Sequence, residues 1–101
     1  MTEWTKVRLN PSQMLLTKKE LSGLPLLYAQ DGKGKDAIAY VHFFSGSYDF
    51  WATEFDPATG DFFGLAQLSE RELGYVTAKE LCSIGRIERD LYWTPTPLRN
   101  L

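Results

Sequence analysis

Four carboxylates lie in motif-like positions: Glu54, Glu72, Glu88 and Asp90. Paired carboxylates can carry out acid–base hydrolysis or hold a divalent metal ion. No two of these four have a recognisable ligand spacing, and solvated or ion-paired structural acids are the more common role for such residues. We therefore assign no catalytic residue and no metal ligand. A small carboxylate-based hydrolase or metal-dependent enzyme is kept as the alternative function.

The chain has one histidine, His42, and one cysteine, Cys82. No second histidine exists to build a histidine-based zinc site, and the apolar neighbours of His42 favour a structural, hydrogen-bonded ring over a general base. Cys82 shares a helical face with Ala78 and Leu81, which favours a core position over a reactive thiol. A single cysteine cannot form an intramolecular disulfide, so we expect a reducing, cytoplasmic location.

The segment Gly32–Lys35, Gly-Lys-Gly-Lys, has the composition of a phosphate-binding loop. The motif is incomplete, because no Gly-Lys-Ser/Thr follows a strand and opens a helix. A mobile, glycine-spaced loop over Asp31–Asp36 is the better interpretation. The sequence predicts no cofactor.

Composition describes an ordinary globular chain that is rich in aromatic side chains. Of 101 residues, 44% are hydrophobic and 14% aromatic, and the net charge is −2. This length predicts a single domain, 1–101, and the charge argues against nucleic acid as a partner. The segment 54–72 contains five acids and one arginine, which favours a basic protein surface. No signal-peptide pattern and no apolar run of roughly 18 residues is present, so no membrane association is expected.

Two capping-box patterns predict short helices. The segments Thr17–Glu20 and Thr77–Glu80 have the spacing in which the end residues exchange hydrogen bonds between side chain and backbone. Gly23 and Gly85 are expected to end these helices. A weaker alternative starts a helix at Asn10-Pro11, with Asn as the cap and Pro at the first helical position.

The segment 37–67 predicts an antiparallel meander of three strands joined by short turns. One of these turns, Asp56–Gly60, has the sequence of a type I turn followed by a bulge. A last strand is predicted over 86–93. The expected fold class is α+β: an antiparallel sheet of four or five strands with two short helices mainly on one face. A polar lead-in (1–14) and an extended tail (94–101) complete the chain.

Neither of the first two meander strands alternates between apolar and polar residues as a half-exposed sheet would. Both faces of the sheet therefore need cover, and two short helices can cover only one. The other face must be covered by terminal segments, a second subunit or a partner, and an exposed apolar patch marks such a site. We predict a partner-binding surface of aromatic and acidic residues. Its members are Phe43, Trp51, Glu54, Asp56, Asp61, Glu70 and Glu72.

Arg89 is the charged residue with the most constrained predicted position. It shares one strand face with Ile87, Leu91 and Trp93, so alternation turns it inward if that face is the inner one. A buried guanidinium has to be paired. We predict a structural ion pair between Arg89 and Glu54 or Glu72.

Several segments, read in order, resemble the domain of unknown function 2958 family. These are Leu15–Thr17, Leu24–Tyr28, Phe43–Phe44, Trp51–Asp56, Phe63–Leu65, Glu72–Tyr75, Glu80–Leu81 and Ile87–Asp90. The resemblance supplies no catalytic residues, because no activity is established for the family. It implies a setting on bacterial plasmids, integrative elements and phages, where small proteins often antagonise host defence or assist transfer.

The favoured function is a small non-enzymatic interaction protein that binds a protein partner, or a second copy of itself, through aromatic and acidic surface. No recognisable catalytic constellation supports the enzyme alternative. A flat aromatic patch would support the first hypothesis. A buried polar pocket containing Glu54 and Glu88 would support the second.

Overall fold

Short turns between β-forming segments fold the middle of the chain into a five-stranded antiparallel sheet. The computed structural model describes residues 2–101, and Met1 of the predicted lead-in lies outside the described residues. The predicted meander 37–67 is confirmed. The strands are β4 (Val41–Ser45), β5 (Tyr48–Asp56), β6 (Asp61–Gln67), β7 (Arg71–Thr77) and β8 (Glu88–Arg89). Their order across the sheet is β7-β6-β5-β4-β8.

Both predicted helices form, and each begins at its capping box. Helix α1 is Lys18–Gly23 and helix α2 is Ala78–Ser83. At α1 the Glu20 amide donates to the Thr17 hydroxyl at 3.1 Å, and the Thr17 amide donates to the Glu20 carboxylate at 2.8 Å. Side chains of both helices pack on the sheet face that carries the phenylalanine core. The α+β fold class is confirmed.

The lead-in contains a hairpin and part of the core instead of only polar chain. After a 3-10 turn (Trp4–Lys6), strand β1 (Arg8–Asn10) pairs with strand β2 (Gln13–Met14). The alternative helix start at Asn10-Pro11 is wrong, because the Asn10 side chain accepts from the Ser12 amide at 2.8 Å and closes the turn between these strands. Leu9 is buried in the core of the same sheet face.

The predicted last strand over 86–93 is too long, since only Glu88–Arg89 pair with β4. Asp90 ends the strand: its amide donates to the His42 carbonyl, and its carboxylate accepts from the Tyr92 amide at 3.0 Å. The chain then turns toward the second face of the sheet. This turn directs the C-terminal residues 93–101 onto that face.

The C-terminal strap (residues 93–101) covers part of that second face. Its strand β9 (Thr96–Pro97) pairs with strand β3 (Ile38–Ala39), and a 3-10 helix (Leu98–Asn100) follows. The tail was predicted to run extended over the surface, but Leu98 is buried against Trp51 in a second apolar cluster. Burial of apolar surface on Trp51 explains why the tail folds back.

We predict that the strap contributes strongly to stability through Leu98. Leu98→Ala removes a buried side chain, and such truncations cost about 2–5 kcal/mol. Leu91→Ala is the matched control, because Leu91 is exposed, and a change within about 0.5 kcal/mol is expected there. Urea unfolding followed by tryptophan fluorescence measures both. Equal losses for the two variants would contradict the strap as a packed element.

Candidate functional site

The two aromatic residues predicted to lead a partner-binding surface are both buried. Phe43 is 0% exposed and packs against Phe50 and Phe62 in the main core. Trp51 is 8% exposed and lies under the strap. The prediction of a surface position is wrong for both, because Phe43 lies on the face that the helices and the hairpin cover and Trp51 lies on the face that the strap covers.

The five predicted acidic members do not form one surface either. Glu54 is buried, while Asp56 and Asp61 brace the β5–β6 turn: Asp56 accepts from the Ala58 amide and Asp61 from the Thr59 hydroxyl, each at 2.9 Å. Glu70 and Glu72 are exposed at and before the start of β7. Two of the five therefore remain available to a partner.

A β-bulge explains where Glu54 lies. In the β5–β6 register Ala52 opposes Gly64 and Glu54 opposes Phe63, so Thr53 is the extra residue. Strict alternation would put Glu54 on the core face beside Ala52, and the bulge moves it to the outer face. Gly64 is required at this point, since a Cβ there would lie 2.1 Å from the Trp51 carbonyl oxygen.

Glu54 fixes the loop that borders the outer face. Its two carboxylate oxygens accept hydrogen bonds from the amides of Tyr28 and Gln30, each at 2.8 Å. The Gln30 side chain adds bonds to Ile38 and to the Thr53 carbonyl. Tyr28 has φ +72°, a strained value for a residue with a side chain. Glu54 therefore holds a strained loop instead of offering a free carboxylate.

An open groove lies beside this loop, on the outer face of β6 and β7. It is formed by two adjoining cavities of about 510 and 530 Å³ that share Gly34, Leu73 and Leu98. The Tyr28 and Tyr75 hydroxyls are 3.5 Å apart at its margin, and this hydrogen bond raises the pKa of Tyr75 above its ordinary value. The exposed residues Tyr28, Leu73 and Tyr75 are functional candidates that the sequence analysis missed. The alternation of Leu73 and Tyr75 around Gly74 is the signal that could have found them.

Strand β7 is an open edge of the sheet. It is seven residues long, lies at the end of the strand order and contains no proline and no lysine. Leu73 and Tyr75 are 53% and 54% exposed on it. Protein edge strands of this length usually carry charged side chains (above all lysine), a proline, a bulge or a cover that prevents further pairing. Strand β7 has no lysine, no proline and no bulge, and its two charged residues, Arg71 and Glu72, both lie at its start.

The opposite edge of the sheet, at β8, is closed by side-chain amides. Gln13 accepts from the Arg89 amide at 2.8 Å and donates to the Arg89 carbonyl at 3.0 Å, as a neighbouring strand would. Asn10 donates to the Ile87 carbonyl at 2.7 Å. The β1–β2 hairpin therefore uses up the hydrogen-bonding groups that an added strand would need at this edge. The edge at β8 is therefore closed to an added strand, whereas the edge at β7 is open.

Arg89 is turned inward as predicted, but its partner is different. Its Nε lies 3.1 Å from a Glu20 carboxylate oxygen without being aligned for a hydrogen bond, and Nη1 donates to the Met14 carbonyl. The predicted pairing with Glu54 or Glu72 is wrong, because the bulge turns Glu54 to the other face and Glu72 lies on the far edge strand. Arg89 joins β8, β2 and α1.

His42 is held between two carboxylates on the outer face. Its Nε2 lies 2.8 Å from Asp49 and its Nδ1 lies 3.0 Å from Asp90, while the ring stacks on Trp51 at 5.2 Å. Carboxylates only accept hydrogen bonds, so a ring nitrogen of His42 that carries a proton has an acceptor in either direction. The ring ties the β4–β5 hairpin to the turn that starts the strap, which is a structural role.

A metal site, a reactive thiol and a membrane span each require particular features of the described residues. Within residues 2–101 no group of three or more metal-ligating side chains lies close enough to hold an ion. Burial raises the pKa of the Cys82 thiol, which lowers the fraction of reactive thiolate. No helix of residues 2–101 has the length and apolar character required to span a bilayer.

We predict that Glu54→Gln loosens the groove loop. An amide side chain has one acceptor oxygen in place of two, so one of the two backbone amides loses its partner, at a cost of about 1–3 kcal/mol. Hydrogen exchange of the Tyr28 and Gln30 amides should accelerate. Glu72→Gln is the control, because Glu72 is exposed. Unchanged exchange in Glu54→Gln would show that the carboxylate does not hold the loop.

We predict energetic coupling between Arg89 and Glu20. In a double-mutant cycle, Arg89→Met with Glu20→Gln should show about 0.5–3 kcal/mol of coupling, whereas Arg89→Met with Glu54→Gln or Glu72→Gln should be additive within about 0.5 kcal/mol. Urea unfolding supplies the four free energies of each cycle. The cycle removes the separate effect of Glu20→Gln on the helix cap. An additive result for Glu20 would contradict the ion pair.

Comparison with known proteins identifies one family. The model of a family described as protein of unknown function (DUF2958) matches residues 15–99. No curated protein matches the chain, and no solved structure matches it. The match covers most of the sheet, both helices and the groove, so it includes the open edge strand β7.

Proposed function

The chain belongs to the DUF2958 family of proteins of unknown function, and we propose that it is a small interaction protein that binds a protein partner at the edge of β7. In this mode an extended segment of the partner adds a strand to the sheet. Main-chain hydrogen bonds supply affinity, and pockets for alternate side chains supply specificity. The open edge is the observation that carries the proposal.

Aromatic and acidic side chains around β7 support this role. Tyr75 and Leu73 offer apolar contacts on the outer face, and Tyr28 extends them across the groove. Glu70 and Glu72 give the start of the strand negative charge, which favours a partner segment with basic residues. The aromatic members of this proposed surface differ from Phe43 and Trp51, which the sequence predicted.

No observation favours the carboxylate-based hydrolase or metal-dependent enzyme. Both oxygens of Glu54 are used by the amides of Tyr28 and Gln30. Glu88 lies on β8, whereas Glu54 borders the groove. Glu54 lines one of the two cavities that form the groove, and Glu88 lines neither of them. Binding is therefore the function for which the described residues offer a specific feature.

The family resemblance extends the proposal to a biological setting. We propose that the chain is encoded on a bacterial plasmid, integrative element or phage and acts in the cytoplasm on a host protein. Antagonism of a host defence system is a role that requires binding alone. This part of the proposal depends on the resemblance, and no contact in the fold bears on it.

We predict that peptides selected from a random-peptide display library bind at β7. The selected sequences should be extended and should alternate apolar residues, with basic residues beside Glu70 and Glu72. Tyr75→Lys should weaken binding of a selected peptide at least tenfold by calorimetry, because a lysine on an edge strand opposes pairing. Tyr92→Lys is the control at an exposed tyrosine away from the sheet. Peptides that bind both variants equally, or a library that yields no binders for a monomeric chain, would contradict the proposal.

A further inference from the structure

We infer that the strand added to β7 is β7 of a second copy, in antiparallel pairing centred on Gly74. This inference rests on the proposed function and names the partner for the same edge. The result is a two-fold symmetric dimer with one continuous sheet. Three features of β7 support a second copy. Its free backbone groups point outward, Leu73 meets Tyr75 across the two-fold axis, and no like charges lie opposite each other.

The cap of α2 shows which backbone groups of β7 point outward. The Thr77 amide donates to the Glu80 carboxylate at 3.1 Å, while the Ala78 amide donates to the Gly60 carbonyl at 2.8 Å, toward β6. Backbone groups of a strand alternate in direction from one residue to the next. Leu73 and Tyr75 therefore present their amide and carbonyl groups to the open side, and Gly74 presents its groups to β6.

Pairing centred on Gly74 satisfies these outward groups. Leu73 lies opposite the partner's Tyr75, and Tyr75 lies opposite the partner's Leu73. Each of these two pairs can exchange two hydrogen bonds, as in an ordinary antiparallel ladder. Gly74 lies opposite the partner's Gly74 in the closer, non-hydrogen-bonded type of pair. In a two-fold symmetric contact a residue that meets a second residue of the partner is itself met by that residue's copy, so both Leu73–Tyr75 pairs form together.

Side chains in this register also fit. The facing Leu73 and Tyr75 side chains form aromatic–aliphatic pairs on the outer face, which stabilise adjacent strands. Glu72 lies opposite the partner's Val76, and Arg71 lies opposite the partner's Thr77, so no like charges meet. A register centred on Leu73 would leave Val76 and Thr77 without partners. The Gly74-centred register places all seven residues of β7 opposite a residue of the partner's β7, and the Thr77 amide keeps its bond to Glu80.

Cysteine cross-linking tests the dimer and its register. In a Cys82→Ala background, Gly74→Cys should give a disulfide-linked dimer under mild oxidation, because opposed residues lie within the Cα distance of about 4.4–6.8 Å that a disulfide needs. A Cβ at Gly74 meets no atom within 4 Å, so the substitution fits the folded chain. Leu73→Cys should not link to itself, since the two positions are displaced by two residues.

Gly85→Cys is the matched control, because it too has open space around a Cβ and lies away from β7. Sedimentation of the unmodified chain should show a dimer that dissociates on dilution, as is typical of a small interface. Tyr75→Lys should be monomeric at the concentration where the unmodified chain is mainly dimeric, whereas Tyr92→Lys should remain dimeric.

The outcomes separate this inference from the proposed function. Selected peptides that bind at β7 of a chain that stays monomeric would overturn the second copy and leave the proposed function intact. Strongest linkage at Leu73→Cys, or equal linkage at Gly74→Cys and Gly85→Cys, would overturn the Gly74-centred register. Absence of both peptide binding and dimer formation would overturn both proposals.

Discussion

The central strand β5 is buried on both of its faces, and the rest of the fold depends on this constraint. Six consecutive residues, Phe50–Phe55, are buried. A strand of this kind requires cover on each side, since apolar surface left in water costs free energy in proportion to its area. The two helices and the β1–β2 hairpin cover one face, and β3 with the C-terminal strap covers the other. The proposed binding edge lies at the end of the strand order, at β7.

Contacts of individual side chains, rather than long helices or strands, position the loop, the hairpin and the strap around the proposed binding surface. Glu54 holds the loop at Tyr28 and Gln30, Arg89 joins the hairpin to α1, and His42 connects the sheet to the strap through Asp90. Each is a charged or titratable group with buried contacts, where loss of one partner is costly. A chain of this size has few long elements, so these contacts decide which of its surfaces stay exposed.

Local signals in the sequence predict much of the fold. The two capping boxes and the Asp56–Gly60 turn depend on neighbouring residues, and each forms as expected. The bulge at Thr53 depends on the close approach of Gly64 to another strand, which no local pattern reveals. That one extra residue reverses the face of Glu54, which removes Glu54 from the predicted surface and from the reach of Arg89. The alternative partner Glu72 fails for a different reason, because β7 and β8 lie at opposite edges of the sheet. The buried position of Trp51 was missed because the strap is brought to it by contacts distant in sequence.

The unequal edges of the sheet have a consequence for growth beyond two chains. A sheet with two open edges can recruit copies indefinitely, which is the route to fibres. Here Gln13 occupies the backbone groups of Arg89 and acts as a terminator of the ladder at β8. In the proposed dimer, pairing through β7 would use the remaining edge of each chain, so the assembly would close at two copies. The Gln13 and Asn10 side chains at β8 would then keep a chain with an open β7 edge from polymerising.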